Sequence, residues 1–126
     1  MTTPTFLPAA PLPATMQVVE MFSPDPDPHT ATRLVTRPVP HPGSGQLLIE
    51  VTASAICRTD LQLVTGDLPA HLLPVTPGHQ VVGRVAGLGA GVTDWQVGDR
   101  VGLVWLASAC GRCRFCRTER ENLCLH

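Results

Sequence analysis

The sequence predicts a mainly β fold: a partly open barrel of short strands, with short helices and a compact cysteine-rich lobe at its C-terminal end. Three observations predict it. Thirteen prolines and eleven glycines in a chain without tyrosine favour many short strands and turns over long helices, because proline lacks the amide donor and glycine weakens helix interiors. The apolar stretches between them are short and partly alternating, as half-buried strands are. Four of the five cysteines crowd between Cys110 and Cys124, which marks a lobe distinct from the strands. At 126 residues the chain has the length of one domain, too short for two ordinary domains side by side.

Residues 1–15 carry proline, threonine and alanine without charge or period and are expected to be a flexible tail. The first strand is expected at 16–22, stopped by Ser23-Pro24-Asp25-Pro26-Asp27-Pro28, whose prolines cannot donate to a ladder. Leu34 and Val35 suggest a short edge strand before Pro38, Pro40 and Pro42 lead into the Gly43-Ser44-Gly45 turn. Gln46 to Ala53 is the best strand, with Leu47, Ile49 and Val51 on one face. Thr59 or Asp60 is expected to cap a short helix over Leu61–Val64 that Gly66 ends. Pro69, Pro74 and Pro77 punctuate a loop reaching Gly78-His79, and further strands are expected over Val81–Leu88 and Arg100–Leu106. Between them Gly87-Leu88-Gly89-Ala90-Gly91-Val92 imitates a dinucleotide fingerprint, but G-x-G-x-x-G requires glycine at 92 and a following helix. It reads as a connection between strands.

Composition excludes some partners. A formal net charge of −1, a pI near 6.5 and a mean hydropathy of +0.15 give no global attraction to nucleic acid or anionic membrane. No apolar run approaches the about 18 residues of a membrane span. The N-terminus lacks a basic region, and Pro4, Pro8, Pro11 and Pro13 break its apolar residues, so no secretory signature forms and a cytoplasmic location is expected.

The cysteines follow the pattern C-x2-C-x2-C-x7-C at Cys110, Cys113, Cys116 and Cys124. Two-residue gaps let successive sulfurs turn toward one centre, and four thiolates with no open position suit a structural zinc ion. Three alternatives stand beside it. Disulfides suit an oxidising compartment better than the one expected here. An iron–sulfur cluster shares C-x2-C-x2-C, but its bacterial run closes with C-x3-C-P. A nucleic-acid-binding zinc module would agree with Arg112, Arg114, Arg117 and Arg120, yet it normally has two ligand pairs a dozen or more residues apart.

A second constellation joins Cys57 and His79. Taken singly, a buried cysteine is usually an inert small hydrophobe and a histidine usually a hydrogen-bonded residue. Asp60, three residues after Cys57, offers an acceptor for the free ring N–H of a metal-bound histidine, and Thr59 places a hydroxyl beside the sulfur. Two protein ligands leave zinc short of the usual three.

Cys57-Arg58-Thr59-Asp60, Pro77-Gly78-His79-Gln80, Gly98-Asp99-Arg100-Val101 and the cysteine lobe stand in the order and approximate spacing of the zinc-dependent alcohol dehydrogenases of the medium-chain dehydrogenase/reductase superfamily. The chain resembles that family from about Met16 to its C-terminus. The resemblance implies the N-terminal GroES-like domain at 16–126, with a zinc lobe at about 107–126 and no nucleotide-binding domain. It implies structural zinc on Cys110, Cys113, Cys116 and Cys124, with Cys57 and His79 as two ligands of a catalytic zinc. In that family zinc lowers the pKa of the substrate alcohol while hydride passes to NAD or NADP. Thr59 resembles the proton-relay hydroxyl, Asp60 the partner of the zinc-bound histidine, and Arg58 the cation that contacts the cofactor pyrophosphate. Each has a plainer counterpart, Thr59 and Asp60 as a helix cap and Arg58 as a solvated charge.

The departures from the family are specific. Gln80 replaces a glutamate behind the zinc, and Gln62 a histidine that ends the relay in several members. The third zinc ligand, the nucleotide-binding domain and the strands that complete the catalytic domain lie beyond His126. The expectation is therefore a portion of an NAD(P)-dependent oxidoreductase acting on small alcohols and aldehydes, inactive as this chain alone. It would bind neither nucleic acid nor membrane, and an exposed apolar edge would invite homo-oligomers. The alternative is a stand-alone structural zinc-binding or interaction module without enzymatic activity.

Overall fold

The computed structural model describes residues 11–106 and 108–125. The first ten residues of the expected tail, and Ala107 and His126 at the two ends of the expected lobe, lie outside them. Thr15, counted with the tail, is instead the first residue of a strand. That strand, β1 (Thr15–Met21), pairs antiparallel with β2 (Thr32–Pro38) in continuous register, from Thr15 opposite Pro38 to Met21 opposite Thr32. Between them the proline stretch ends β1 as expected and then winds into one helical turn, α1 (Pro28–Ala31). Pro28 takes the first helical position, where its missing amide is no loss, and Asp27 caps the turn by accepting from the His29 amide at 2.9 Å. With the reversal so made, β2 runs well beyond Leu34 and Val35, and Pro38 closes it at its end, where no further ladder bond is needed.

The second sheet is antiparallel, with β4 (Gln80–Leu88) between β3 (Leu47–Ala55) and β5 (Arg100–Leu103). β5 ends at Leu103, short of the expected Leu106, because its last partner is Val81 and β4 itself begins one residue earlier. The expected common face of Leu47, Ile49 and Val51 is broken by register shifts after Leu48 and after Val51. Val51 stands opposite Gly83, which offers no side chain to pack on, and it is 55 % exposed. The Gly87–Val92 glycines do connect strands. Gly89 donates to the Gln46 carbonyl at 2.8 Å and passes so close to Gly43 that any Cβ would collide with the Gly43 carbonyl oxygen.

The two sheets do not close into a barrel. One small core joins Met21, Ala31 and Val64, with Ala70 and Val75 packed on it. Met21 and Val75 exchange backbone hydrogen bonds of 2.8 and 3.0 Å, which tie the end of β1 to the loop leading to β4. Val85 and Val101 are buried separately in the second sheet. Large apolar side chains, Ile56, Val104 and Trp105 among them, stay more exposed than buried. The architecture is thus mainly β with few helices, as the sequence predicts.

Candidate metal centres

The first centre begins at the end of β3, where the chain turns into helix α2 (Arg58–Thr65). The helix cap is Cys57, not Thr59 or Asp60 as expected. Its sulfur accepts from the Thr59 amide at 3.3 Å, while Asp60, in the third helical position, reaches back to accept from the Cys57 amide at 2.8 Å. A capping box built on cysteine results, and it fixes the thiol and the carboxylate relative to each other. The helix ends at Gly66, as expected.

His79 arrives from the other side, immediately before β4. Gly78 turns the chain with φ of 117°, a conformation that favours glycine, and its amide donates to Asp60 Oδ1 at 3.0 Å. His79 Nδ1 lies 3.1 Å from the same oxygen, and Nε2 lies 3.4 Å from Cys57 Sγ. Asp60 is 2 % exposed. Burial works to raise its pKa, but the Cys57 hydrogen bonds and the His79 ring outweigh that and leave the carboxyl below its usual range. An ionised carboxylate only accepts, so Nδ1 carries a proton toward Asp60, and Nε2 is the nitrogen that faces Cys57. Bonds of about 2.3 Å to sulfur and 2.0–2.1 Å to nitrogen at a tetrahedral angle place two such ligand atoms about 3.6 Å apart. The observed 3.4 Å therefore fits a common ion. Asp60 belongs to the same cluster of ligand-type atoms, all within 4.8 Å of one another, but both its oxygens are engaged in holding Cys57, Gly78 and His79. Its place is behind the ligands.

The second centre is the C-terminal lobe. Two 3-10 turns, Cys116–Thr118 and Glu121–Leu123, fold it back on itself, with Glu119 in the left-handed region between them. The Cys110, Cys113, Cys116 and Cys124 sulfurs all lie within 4.8 Å of one another. Cys116 Sγ is 3.9 Å from Cys110 Sγ and 3.5 Å from Cys113 Sγ. A tetrahedron with Zn–S bonds of about 2.3 Å has edges of about 3.8 Å, whereas a disulfide needs about 2.05 Å. These cysteines form no disulfide among the described residues, and their sulfurs are spaced as ligands of one ion. The Cys113 amide donates to Cys110 Sγ and the Cys110 amide to Cys124 Sγ, each at 3.3 Å. Backbone amides of Arg112 and Cys113 hold the Cys110 pKa down to about 6, and the Cys116 amide lowers that of Cys113. Burial, with the neighbouring thiols, pushes Cys116 up to about 12. Backbone dipoles thus favour thiolates at Cys110 and Cys113, while the Cys116 thiol needs a cation to ionise.

The structure brings together every ligand-type residue the sequence singled out. Thr59 lies beside Cys57, its hydroxyl without a hydrogen bond among the described residues. Arg58, on the same turn, is exposed and without an ion pair among the described residues. Spacing did not reveal Trp105, whose ring meets the His79 ring edge to face with centroids 4.8 Å apart. Nothing in its sequence neighbourhood gives that contact away.

Comparison with known proteins adds the following. The alcohol dehydrogenase GroES-like domain matches residues 43–126. The chain is 43 % identical over 116 residues to a probable alcohol dehydrogenase, AdhA, of Mycobacterium tuberculosis, covering 88 % of this chain and 34 % of that protein. A thermostable alcohol dehydrogenase from Pyrobaculum aerophilum, solved with cobalt and zinc bound, superposes with a TM-score of 0.78 at 32 % identity, over 88 % of this chain and 32 % of that one. A putative zinc-binding dehydrogenase from Sinorhizobium meliloti, solved with NADP, gives a TM-score of 0.69 at 32 % identity, over 90 % and 31 %. The chain spans about a third of the length of these relatives.

Proposed function

This chain belongs to the alcohol dehydrogenase GroES-like domain family, and on that premise we propose that it is the zinc-binding N-terminal part of the catalytic unit of an NAD(P)-dependent alcohol dehydrogenase. The reaction is the reversible oxidation of a small alcohol to an aldehyde or ketone. In this reading residues 16–126 form the GroES-like unit, with Cys110, Cys113, Cys116 and Cys124 holding a structural zinc ion. Cys57 Sγ and His79 Nε2 are two ligands of a catalytic one. When bound there, zinc supplies Lewis acidity that lowers the pKa of an alcohol hydroxyl.

The remaining work falls to side chains. Asp60 holds the proton on His79 Nδ1 and so keeps Nε2 available as a ligand. Thr59, whose hydroxyl has no partner among the described residues, receives the substrate proton and passes it to solvent; Gln62 cannot act as the next acid–base group, so the outward path runs through water. Arg58, at the first position of α2 and without an ion pair among the described residues, contacts the cofactor pyrophosphate in this reading. Because the hydride acceptor would be NAD or NADP, alcohol turnover requires a nucleotide-binding unit in addition to the described residues.

The observation that carries the reading is the clamp on His79, with Asp60 at 3.1 Å on one nitrogen and Cys57 Sγ at 3.4 Å from the other. Metal analysis of the purified chain tests it. We expect one tightly held zinc, plus a second, weakly held equivalent that disappears in Cys57→Ser and His79→Ala. A second equivalent that persists in both variants would overturn the assignment.

A further inference from the structure

We propose that Trp105 is a positioning residue for His79, holding the imidazole in the plane from which Nε2 reaches a metal shared with Cys57. The inference rests on the metal reading of that centre and goes beyond it to a residue outside the ligand set.

Nδ1 lies 3.1 Å from Asp60 and Nε2 3.4 Å from Cys57 Sγ, and both contacts are made at the edge of the ring, in its plane. A contact of the ring with another ring restricts its tilt further. Trp105 supplies it at a centroid distance of 4.8 Å and an interplanar angle of 80°, the edge-to-face geometry that aromatic quadrupoles prefer. Trp105 lies two residues past the end of β5, and among the described residues its indole N–H makes no hydrogen bond and its one ring contact is His79. At 62 % exposure it is not held by burial in the core. A large aromatic side chain left mostly in solvent, yet set against a candidate ligand, fits a role in ordering that ligand.

The size of the effect follows. When only a fraction of the molecules has the competent ring orientation, apparent affinity falls by that fraction. An edge-to-face pair shifts such an equilibrium about two- to thirteen-fold.

The test has two arms. In the metal-free chain, nuclear Overhauser cross-peaks between the His79 and Trp105 ring protons are expected. The chain carrying one equivalent of zinc is then titrated with cobalt(II), whose visible absorption reports coordination by Cys57 and His79. Trp105→Phe, which keeps an aromatic edge, should bind the second metal within about twofold of wild type. Trp105→Leu, apolar without a ring, should bind it about two- to thirteen-fold more weakly while keeping the tight zinc. Missing cross-peaks, a leucine variant with wild-type affinity, or equal weakening in both variants would overturn the proposal. A wild-type chain that takes up no second metal would overturn both the metal reading and this inference. A second metal bound equally well by the leucine variant would overturn this inference alone.

Discussion

Asp60 joins the fold to the first candidate metal centre, and replacing it separates the two contributions. Its carboxylate accepts from the Cys57 amide at 2.8 Å, the Gly78 amide at 3.0 Å and His79 Nδ1 at 3.1 Å. In Asp60→Ala both backbone donors lose their acceptor. At about 1–3 kcal/mol for each buried donor left unsatisfied, the variant should be about 2–6 kcal/mol less stable. Asp60→Asn keeps the shape but turns an NH2 toward at least one of these donors whichever way the amide faces, so about 1–3 kcal/mol is expected. Urea unfolding of the zinc-loaded chain at neutral pH measures both, as a lower midpoint with unchanged slope. The same carboxylate orients His79, so Asp60→Asn should also weaken the second metal about 10- to 100-fold. The pH dependence has a definite sign. Although burial pushes the Asp60 pKa up, its hydrogen bonds and His79 bring it below the unfolded value. Its contribution is therefore complete above the unfolded carboxylate pKa of about 3.9 and is lost as pH falls through the folded pKa. Wild type and Asp60→Asn should converge in acid. An Asp60→Ala chain within about 0.5 kcal/mol of wild type, the range of ordinary surface substitutions, would refute the reasoning.

Three further outcomes follow from other parts of the chain. Cys110→Ser and Cys116→Ser should each lose the tightly held zinc on dialysis, while Cys57→Ser keeps it; elemental analysis reads the difference, and a full equivalent retained by Cys116→Ser would count against the lobe as a four-thiolate site. Met21 is fully buried at the meeting of β1, α1 and α2, and Met21→Ala should destabilise the chain by about 2–5 kcal/mol in chemical unfolding. Glu20 accepts from Arg37 at 2.9 and 2.7 Å, and that hydrogen bonding holds its pKa below the usual carboxylate range. Glu20→Gln should therefore be less stable than wild type at neutral pH, with the gap closing as pH falls through the folded Glu20 pKa in parallel unfolding series.

What could be read from the sequence, and what could not, divides along chain separation. The C-x2-C-x2-C-x7-C run was legible because all four sulfurs are brought together by local turns within the lobe, and spacing alone decides whether they converge. The Gly66 helix end and the proline stop after β1 are local in the same sense. The cap of α2 was misassigned because cysteine is not a usual cap residue. Thr59 and Asp60 have the side chains that commonly cap, but the sulfur of Cys57 took the position once Asp60 could answer from the third helical residue. The exposure of Val51 was hidden for a different reason: alternation within β3 carries no knowledge of the partner strand, and the partner is Gly83. Trp105 lies furthest from what periodicity can show. Its contact with His79 crosses twenty-six positions and exists only because β5 is paired with β4, so that the end of one strand returns beside the start of the other. A residue that acts through another across a sheet leaves no trace in local pattern, and here the local pattern that did exist, a strand expected to continue to Leu106, pointed away from it. The two candidate metal centres differ in the same way: the four-cysteine lobe needs only its own turns, whereas the Cys57–His79 cluster needs β3, α2 and β4 in register before its sulfur and imidazole meet.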